Sequence, residues 1–349
     1  MENNLLFKGD NFQALQWLLN NGYKGKIDLV YIDPPFATGG TFAIDSDGRV
    51  ATISKSSDSQ VAYTDILKGK DFISFLKERI VLIYELLSER GSLYLHIDYK
   101  IGHYVKVMLD EIFGMENFRN DITRIKCNPK NFERVGYGNI KDLILFYTKG
   151  KNPIWNRPQI KCSSEDISTL YNKVDKNGRR YTTVPIHAPG ETKGGTNKPF
   201  RGMLPPKGRH WRCSVEELER LDEAGLIEWS KTGNPRKINY ADEHTSKKAQ
   251  DIWEFKDPVN PTYPTEKNLD MLKFIVEASS NIDSIVMDCF CGSGSTLLAA
   301  DICGRNWIGV DQSEIAIDIV TKKFEQESGI FGLNKYNFVD LSNNTQKVV

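Results

Sequence analysis

Long apolar runs are the first thing this 349-residue sequence lacks. No run is long enough to span a bilayer, and Met1–Asp10 does not have the basic-then-apolar layout of a secretory signal. With 40% apolar residues and a negative mean hydropathy, the chain reads as a soluble globular protein, expected in the cytoplasm. Net charge is absent too: 46 Lys and Arg balance 46 Asp and Glu, so any affinity for nucleic acid must come from uneven placement of charge. The third absence is paired cysteine. The cysteines at 127, 162, 213, 289, 291 and 303 form no CxxC pair; they are expected as reduced thiols, and no metal site is predicted. Cys289 and Cys291 flank Phe290, but two thiols on alternate sides of a turn make a poor tetrahedral set.

One stretch then stands out. Ile27–Phe36 reads IDLVYIDPPF: apolar Leu29–Ile32, bounded by Asp28 and Asp33, has the length of a buried parallel strand, and two prolines forbid its continuation. The strand ends where polar chemistry begins. Asp33 offers a carboxylate, Pro34 and Pro35 offer carbonyls in a chain of restricted φ, and Phe36 offers a flat aromatic face. A planar base with an exocyclic amine would fit this set, because the amine donates hydrogens and the ring takes a π partner. Taken alone, the same residues would serve equally as a turn after a strand.

A second stretch, Ser284–Thr296, reads SIVMDCFCGSGST. Another apolar strand ends on an acid, Asp288, and a turn of Phe290, Cys291, Gly292, Ser293 and Gly294 opens into the apolar helix Leu297–Ile302. Glycines there let the backbone approach a ligand, and the crevice past the carboxyl ends of α/β strands is where ligands sit. Trp307–Val310 is the next strand, and Asp311 at its end is placed to accept from ribose hydroxyls. Together these suggest a cofactor pocket and a substrate pocket at one edge of one sheet. A nicotinamide oxidoreductase could also use Gly292, Gly294 and Asp311, but Leu297 replaces its third glycine and DPPF would have no task.

The rest of the chain alternates strand and helix, which predicts an α/β, doubly wound sheet. Leu5–Lys8 is a short strand, and Asp10 reads as the N-cap of a helix over Phe12–Leu19. Ala37–Thr64 reads as a loop, either a surface excursion or a lid. Phe72, Phe75, Leu76, Ile80, Ile83 and Leu87 predict a helix over 71–89 ended by Gly91, before a strand Ser92–Ile97. His96 and His103 read as structural. Thr265 and Lys267 stand just before a helix Asn268–Ser279, where an amino-acid carboxylate would meet a cation and a helix N-terminus together.

From Lys151 the character changes. Between Tyr171 and Arg212 ten Lys or Arg face only Asp175 and Glu191, with Tyr171, Tyr181, Phe200, His210 and Trp211 interleaved. Basic runs are usually solvated loops, but cations that neutralise phosphate beside aromatics that stack on bases also describe a nucleic-acid face. A helix capped by Ser214 and a hairpin, Leu226–Ser230 with Arg236–Tyr240, follow.

With these motifs in view, the chain resembles the beta-class amino-methyltransferases of DNA, whose catalytic tetrapeptide precedes the cofactor loop: DPPF at 33–36 comes before FCGSGST at 290–296. The resemblance implies a Rossmann-like methyltransferase sheet of permuted motif order, built from residues 1–150 and 256–349, with an inserted target-recognition domain at 151–255. It implies S-adenosylmethionine as cofactor, held by Asp10, Asp33, Thr265, Lys267, Asp288, Phe290, Cys291, Gly292, Ser293, Gly294 and Asp311. It implies double-stranded DNA as substrate, with a flipped-out base gripped by Asp33, Pro34, Pro35 and Phe36. Arg179, Arg180, Lys193, Lys198, Arg201, Arg209 and Arg212 would then meet DNA. Homodimers and cognate restriction endonucleases belong to the partners such enzymes have. Two departures are Phe36, where Tyr is commonest, and DCFCGSGST in place of DPFCGSGTT. Asp rather than Ser at the head of the tetrapeptide resembles adenine-N6 members more than most cytosine-N4 members. Cytosine-N4, RNA or protein-glutamine methylation, and a non-catalytic DNA-binding subunit, remain as alternatives.

Overall fold

The computed structural model describes residues 4–348 apart from 36–40, 45–49, 52–59, 65–69, 130–132, 134, 244–245, 260, 262, 264–265, 332–334 and 342–344. The chain divides into two compact units, Met1–Pro158 with Gln250–Val349, and Gln159–Ala249.

The first unit is built on a ten-stranded sheet in the order Ile252–Trp253, Phe118–Ile125, Lys141–Thr148, Leu87–Ile97, Ile27–Ile32, Ile285–Asp288, Asn306–Asp311, Leu5–Lys8, Asn337–Asp340 and Thr345–Val348. From Leu87–Ile97 to Asn337–Asp340 neighbouring strands run parallel. Such strands are buried on both faces, which is why Leu29–Ile32 and Val286–Asp288 are near-continuous apolar runs with almost no exposure. Helices Asn11–Asn20, Lys70–Leu86 and Tyr99–Phe113 pack on one face of the sheet, and Leu269–Ser279, Ser295–Ile302 and Glu314–Phe331 on the other. The doubly wound α/β expectation is met.

Two strands distant in sequence are neighbours in the middle of this sheet: Val286 pairs with Leu29 and Met287 with Val30. The chain leaves Ile27–Ile32 for a helix on one face and leaves Ile285–Asp288 for a helix on the other, so the crossovers diverge between them. A crevice at the carboxyl ends is the geometric consequence.

Some elements differ from the sequence reading. The helix expected over 71–89 ends at Leu86, and the strand begins at once with Leu87 beside Ile27. Gly91 is therefore no cap. It lies in the strand, where a Cβ would stand 2.9 Å from the Ser88 carbonyl oxygen and 3.0 Å from that of Ile27, too close for a side chain. Within the expected loop 37–64, Thr41–Ile44 pairs antiparallel with Val50–Ala51 and Gln60–Thr64, as its β-branched and aromatic residues favour. The last two strands, Asn337–Asp340 and Thr345–Val348 at the sheet's edge, had no counterpart in the sequence reading.

The second unit carries an antiparallel four-stranded sheet of Lys173–Val174, Arg180–Pro185, Pro235–Tyr240 and Ile227–Trp229, with two smaller strand pairs. Its core is Ile186, Phe200, Trp211, Val215, Leu218 and Ile227. Helix Val215–Glu223 is capped by Ser214, whose hydroxyl accepts from the Glu217 N–H at 3.3 Å. The unit is narrower than 151–255. Ile154 N–H donates to the Arg90 carbonyl, Asn156 N–H to that of Ala278, and Ile252–Trp253 extends the large sheet, so both flanks belong to the first unit. No helix among the described residues is long and apolar enough to cross a membrane.

Candidate active site

Asp33 is the first residue past the Ile27–Ile32 strand, set there because Pro34 and Pro35 cannot extend the ladder. Its Oδ2 is paired with the Lys267 ammonium. Its Oδ1 is buried and, among the described residues, has no hydrogen-bond partner. A buried carboxylate oxygen left open is unusual enough to mark a place where a ligand donor belongs. Pro34 is buried and Pro35 partly so. Phe36 and Thr265 lie outside the described residues.

Beside Asp33 in the sheet, Asp288 closes its strand and accepts from the Thr296 hydroxyl at 2.6 Å and the Phe290 N–H at 3.0 Å. Burial, with the charges of Asp33 and Asp311 added, pushes its carboxyl up to about 7 against those hydrogen bonds. The turn that follows is shaped by two left-handed glycines, Gly292 at φ +49° and Gly294 at φ +74°. A Cβ on Gly294 would reach 2.8 Å from Val320, and the Tyr263 ring lies against Gly292. Asp311 ties the turn to the next strand: one oxygen accepts from the Gly292 N–H at 2.9 Å and the other from the Ser313 N–H at 2.8 Å. Withdrawal from water raises its carboxyl above the usual range. Burial likewise raises the Cys289 and Cys291 thiols, so neither is a ready thiolate. Among the described residues no cluster of His, Cys, Asp and Glu could hold a metal.

Asp10 caps its helix as expected, accepting from the Gln13 N–H, and also takes a guanidinium N–H from buried Arg79 at 3.2 Å. Arg79 lies over the Phe75 ring at 3.5 Å and donates to Asn11, which in turn donates to the Cys289 carbonyl at 2.9 Å. Asp10 is thereby fastened to the Gly-rich turn. Asp10, Asp33, Asp288 and Asp311 all stand at carboxyl ends of parallel strands, so the residues the sequence nominated separately share one edge.

Several members of the site carry no signal of their own in the sequence. His96 is fully buried; it follows Leu95, the register partner of Ile32, and so stands level with Asp33. Its Nδ1 lies 4.0 Å from Asp33 Oδ1 and 2.9 Å from the Tyr31 hydroxyl, and its Nε2 lies 3.3 Å from Asp142 Oδ2. The structural role assigned to it from sequence understates this. A lone polar residue inside the apolar run of the strand next to the DPPF strand was the available signal. Lys267, expected to meet a carboxylate of the cofactor, is paired here with the carboxylate of Asp33. Glu266 joins Lys323 at 2.7 Å and the Ser295 hydroxyl at 3.3 Å near the start of the Ser295–Ile302 helix.

In the second unit the seven cations proposed for DNA are not equivalent. Arg179 is committed to Asp242 and Glu243 and stacks on Tyr240 at 3.7 Å, and Arg201 donates to Asp222 at 2.8 Å. Arg209 and Arg212 both turn toward His187. Arg180, Lys193 and Lys198 are exposed. Arg179 and Arg201 thus already hold ion pairs within their own unit, whereas Arg180, Lys193 and Lys198 present their charge to solvent.

The DNA methylase family matches residues 27–322, which contains the whole of this edge except Asp10. The chain belongs to the DNA methylase family. The methylase is 44% identical over 321 residues to the type II methyltransferase M.EcaI of Enterobacter cloacae, covering 90% of this chain and 68% of that protein. It is 26% identical over 332 residues to the StyLTI Mod subunit, a type III restriction-modification enzyme subunit of Salmonella typhimurium, covering 84% of this chain and 49% of that one. The methylase thus spans about half the length of that Mod subunit. Among solved structures, a DNA modification methylase of Thermus thermophilus, TTHA0409, complexed with S-adenosyl-L-methionine, superposes with a TM-score of 0.50 at 14% identity, over 97% of this chain and 98% of that one, which is a likeness of fold. Methylases of this family take their methyl group from S-adenosylmethionine and deliver it to an exocyclic amine, N6 or N4, of a DNA base.

Proposed function

We propose that the methylase transfers a methyl group from S-adenosylmethionine to the N6 amine of an adenine flipped out of duplex DNA. The observation that carries this reading is Asp33 Oδ1, a buried acceptor without a partner among the described residues, at the crevice beside the Gly-rich turn. The exocyclic nitrogen is a poor nucleophile because its lone pair is delocalised into the ring. Accepting a hydrogen bond from it at Oδ1, and another at the Pro34 carbonyl, favours a pyramidal nitrogen and directs the lone pair out of the ring plane. Lys267 holds the other oxygen, so Asp33 keeps one orientation as the amine arrives. Phe36 follows in the chain to stack on the ring.

The donor set fits the cofactor. Glycines 292 and 294 leave room for close backbone approach, Asp311 stands for a ribose, and Asp10, fixed by Arg79, stands for an amine such as that of adenine. When bound, S-adenosylmethionine supplies an electrophilic methyl on sulfonium, whose departure as a neutral thioether asks nothing of a metal. The 159–249 unit supplies target recognition, and DNA is its partner; exposed Arg180, Lys193 and Lys198 serve phosphates. A second copy of the chain and a cognate restriction endonuclease are the protein partners proposed with this reading, the latter supported by the likeness to a Mod subunit of a restriction-modification enzyme.

The assignment to adenine rests on Asp at the head of the tetrapeptide. Incubation of DNA, and separately of RNA and protein, with methyl-labelled cofactor, followed by digestion of the nucleic acids to nucleosides, tests it: label in N6-methyl-2′-deoxyadenosine is expected and is lost in Asp33→Ala. Label in N4-methyl-2′-deoxycytidine would move the reading to cytosine, and label confined to RNA or protein would end it.

A further inference from the structure

Asp33 Oδ1 lies 4.0 Å from His96 Nδ1, an atom that could carry a proton toward it, yet receives no hydrogen bond among the described residues, and the arrangement around His96 explains why. Asp142 is held by Lys126 at 2.6 Å and lies 3.6 Å from the guanidinium of fully buried Arg124. Burial alone would raise the Asp142 carboxyl, but His96 and Lys126 outweigh it and hold it below the usual carboxylate range, so it is an acceptor only. His96 Nε2 must therefore carry the proton and donate to Asp142, which leaves Nδ1 as a lone pair. The Tyr31 phenol, kept protonated by burial, then donates to Nδ1. With both protons spent in that direction, neither His96 nor Tyr31 offers one to Asp33.

We propose that Asp142, His96 and Tyr31 form a proton lock that positions no donor against Asp33 Oδ1, reserving that oxygen for the amine of the target base. This rests on the amine-methylation reading above and adds positioning residues to it; His96 acts through Asp33 and touches no substrate. The charged and titratable groups around the imidazole include, among the described residues, Tyr31 and Asp33 on the central strand, Asp142, Arg124 and Lys126 on the antiparallel strands, and Lys267 ahead of the Leu269–Ser279 helix. Burial holds His96 below its ordinary value despite the two nearby carboxylates, so the lock is closed at neutral pH. Protonation of Nδ1 on acidification turns the imidazole into a donor 4.0 Å from Oδ1 and opens it.

Asp142→Asn is the decisive variant. Lys126 requires an acceptor, so the amide oxygen turns to Lys126 and the NH2 faces His96 Nε2, which must then accept. The imidazole proton moves to Nδ1 and the Tyr31 hydroxyl is released, so Oδ1 gains a donor. The expected result is a kcat lower by about ten- to hundredfold with KM for DNA little changed, and imidazole 15N shifts that move from the Nε2–H to the Nδ1–H tautomer. His96→Asn places an amide oxygen near the Nδ1 position and an NH2 toward Asp142. With no imidazole to protonate beside Oδ1, it is expected to lose the acidic limb that the lock predicts for the kcat pH profile of wild type. An Asp142→Asn enzyme within twofold of wild type (about 0.4 kcal/mol), or a His96→Asn enzyme that retains the acidic limb, overturns the lock. Should Asp142→Asn fail to fold, His96→Asn and the wild-type tautomer decide the matter alone: an Nδ1–H wild-type imidazole also overturns it. Absence of any methylated base with wild type would instead overturn the functional reading, which separates the two failures.

Discussion

Lys267 gives its ammonium to Asp33 Oδ2, fastening the segment ahead of the Leu269–Ser279 helix to the acid at the end of the central strand. Both side chains are largely withdrawn from water, at 10% and 14% exposure. Deleting the cation leaves a buried carboxylate unpaired, which costs about 3 kcal/mol. Lys267→Ala is therefore expected to lower Tm clearly in the absence of cofactor, and Lys267→Arg, which keeps the charge, to recover most of the loss. Thermal unfolding of the two variants measures this, and equal Tm values for Lys267→Ala and wild type would show the pair to be energetically idle.

Asp288 predicts a pH dependence of stability with a definite sign. Its folded value of about 7 stands above the ordinary 3.8, so between those values the folded state holds a proton that the unfolded chain has released. The contribution is fully present below about pH 4 and is lost as pH rises to about 7, to a total of about 4 kcal/mol. Urea unfolding of wild type and Asp288→Asn at pH 5 and pH 8 isolates it. The stability of wild type relative to the variant should fall across that interval; a constant difference would mean that Asp288 is ionised throughout.

How much of this was legible in the sequence follows from which interactions are local. DPPF and FCGSGST could be read because a strand, a breaker and a glycine turn are encoded within a few residues. That Asp33 and Asp288 share an edge depends on the pairing of Val286 with Leu29, more than 250 positions apart; two acids at strand ends suggested it, but the pairing itself is not written in either motif. His96 and Asp142 were invisible as partners, since their meeting follows from the antiparallel return of Lys141–Thr148 beside Leu87–Ile97. The misplaced helix end at Gly91 has the same origin: glycine is an ordinary stop signal, and here tertiary crowding from Ile27 demanded it inside a strand.

Leu297, which spoiled the three-glycine fingerprint, shows how this fold makes its close helix-to-sheet contact. The leucine packs on Gly309 of the adjacent strand, where a Cβ would lie 2.4 Å from Leu297 Cδ1. The missing side chain has moved from the helix to the strand. Gly309→Ala is expected to destabilise by about 1–3 kcal/mol through overpacking. Leu297→Ala creates a cavity on its own, but in the double variant each change relieves the other, so the two penalties should sum to more than the double variant costs. Chemical unfolding of the four proteins gives the coupling, and strict additivity would show that Leu297 moves aside without cost.

The second unit yields a prediction in which the intramolecular partners of the cations matter more than their number. A lysine that meets a phosphate releases a counterion, and its removal reduces the slope of log K against log salt by about 0.9. Lys193 and Lys198 are exposed, so Lys193→Ala and Lys198→Ala should each lower the slope by roughly that amount if both meet DNA. Arg179 and Arg201 present the contrary case. The first is shared between Asp242 and Glu243 above the Tyr240 ring, and the second is held by Asp222, so their charge is already compensated within the fold. Arg201→Ala should leave the slope near that of wild type. Arg179→Ala should loosen the joint between Asp242, Glu243 and the four-stranded sheet, which limited proteolysis of the 159–249 unit would detect. A salt slope that falls equally for all four variants would show that those ion pairs open on DNA and that composition alone, the ten cations between Tyr171 and Arg212, governs the interface.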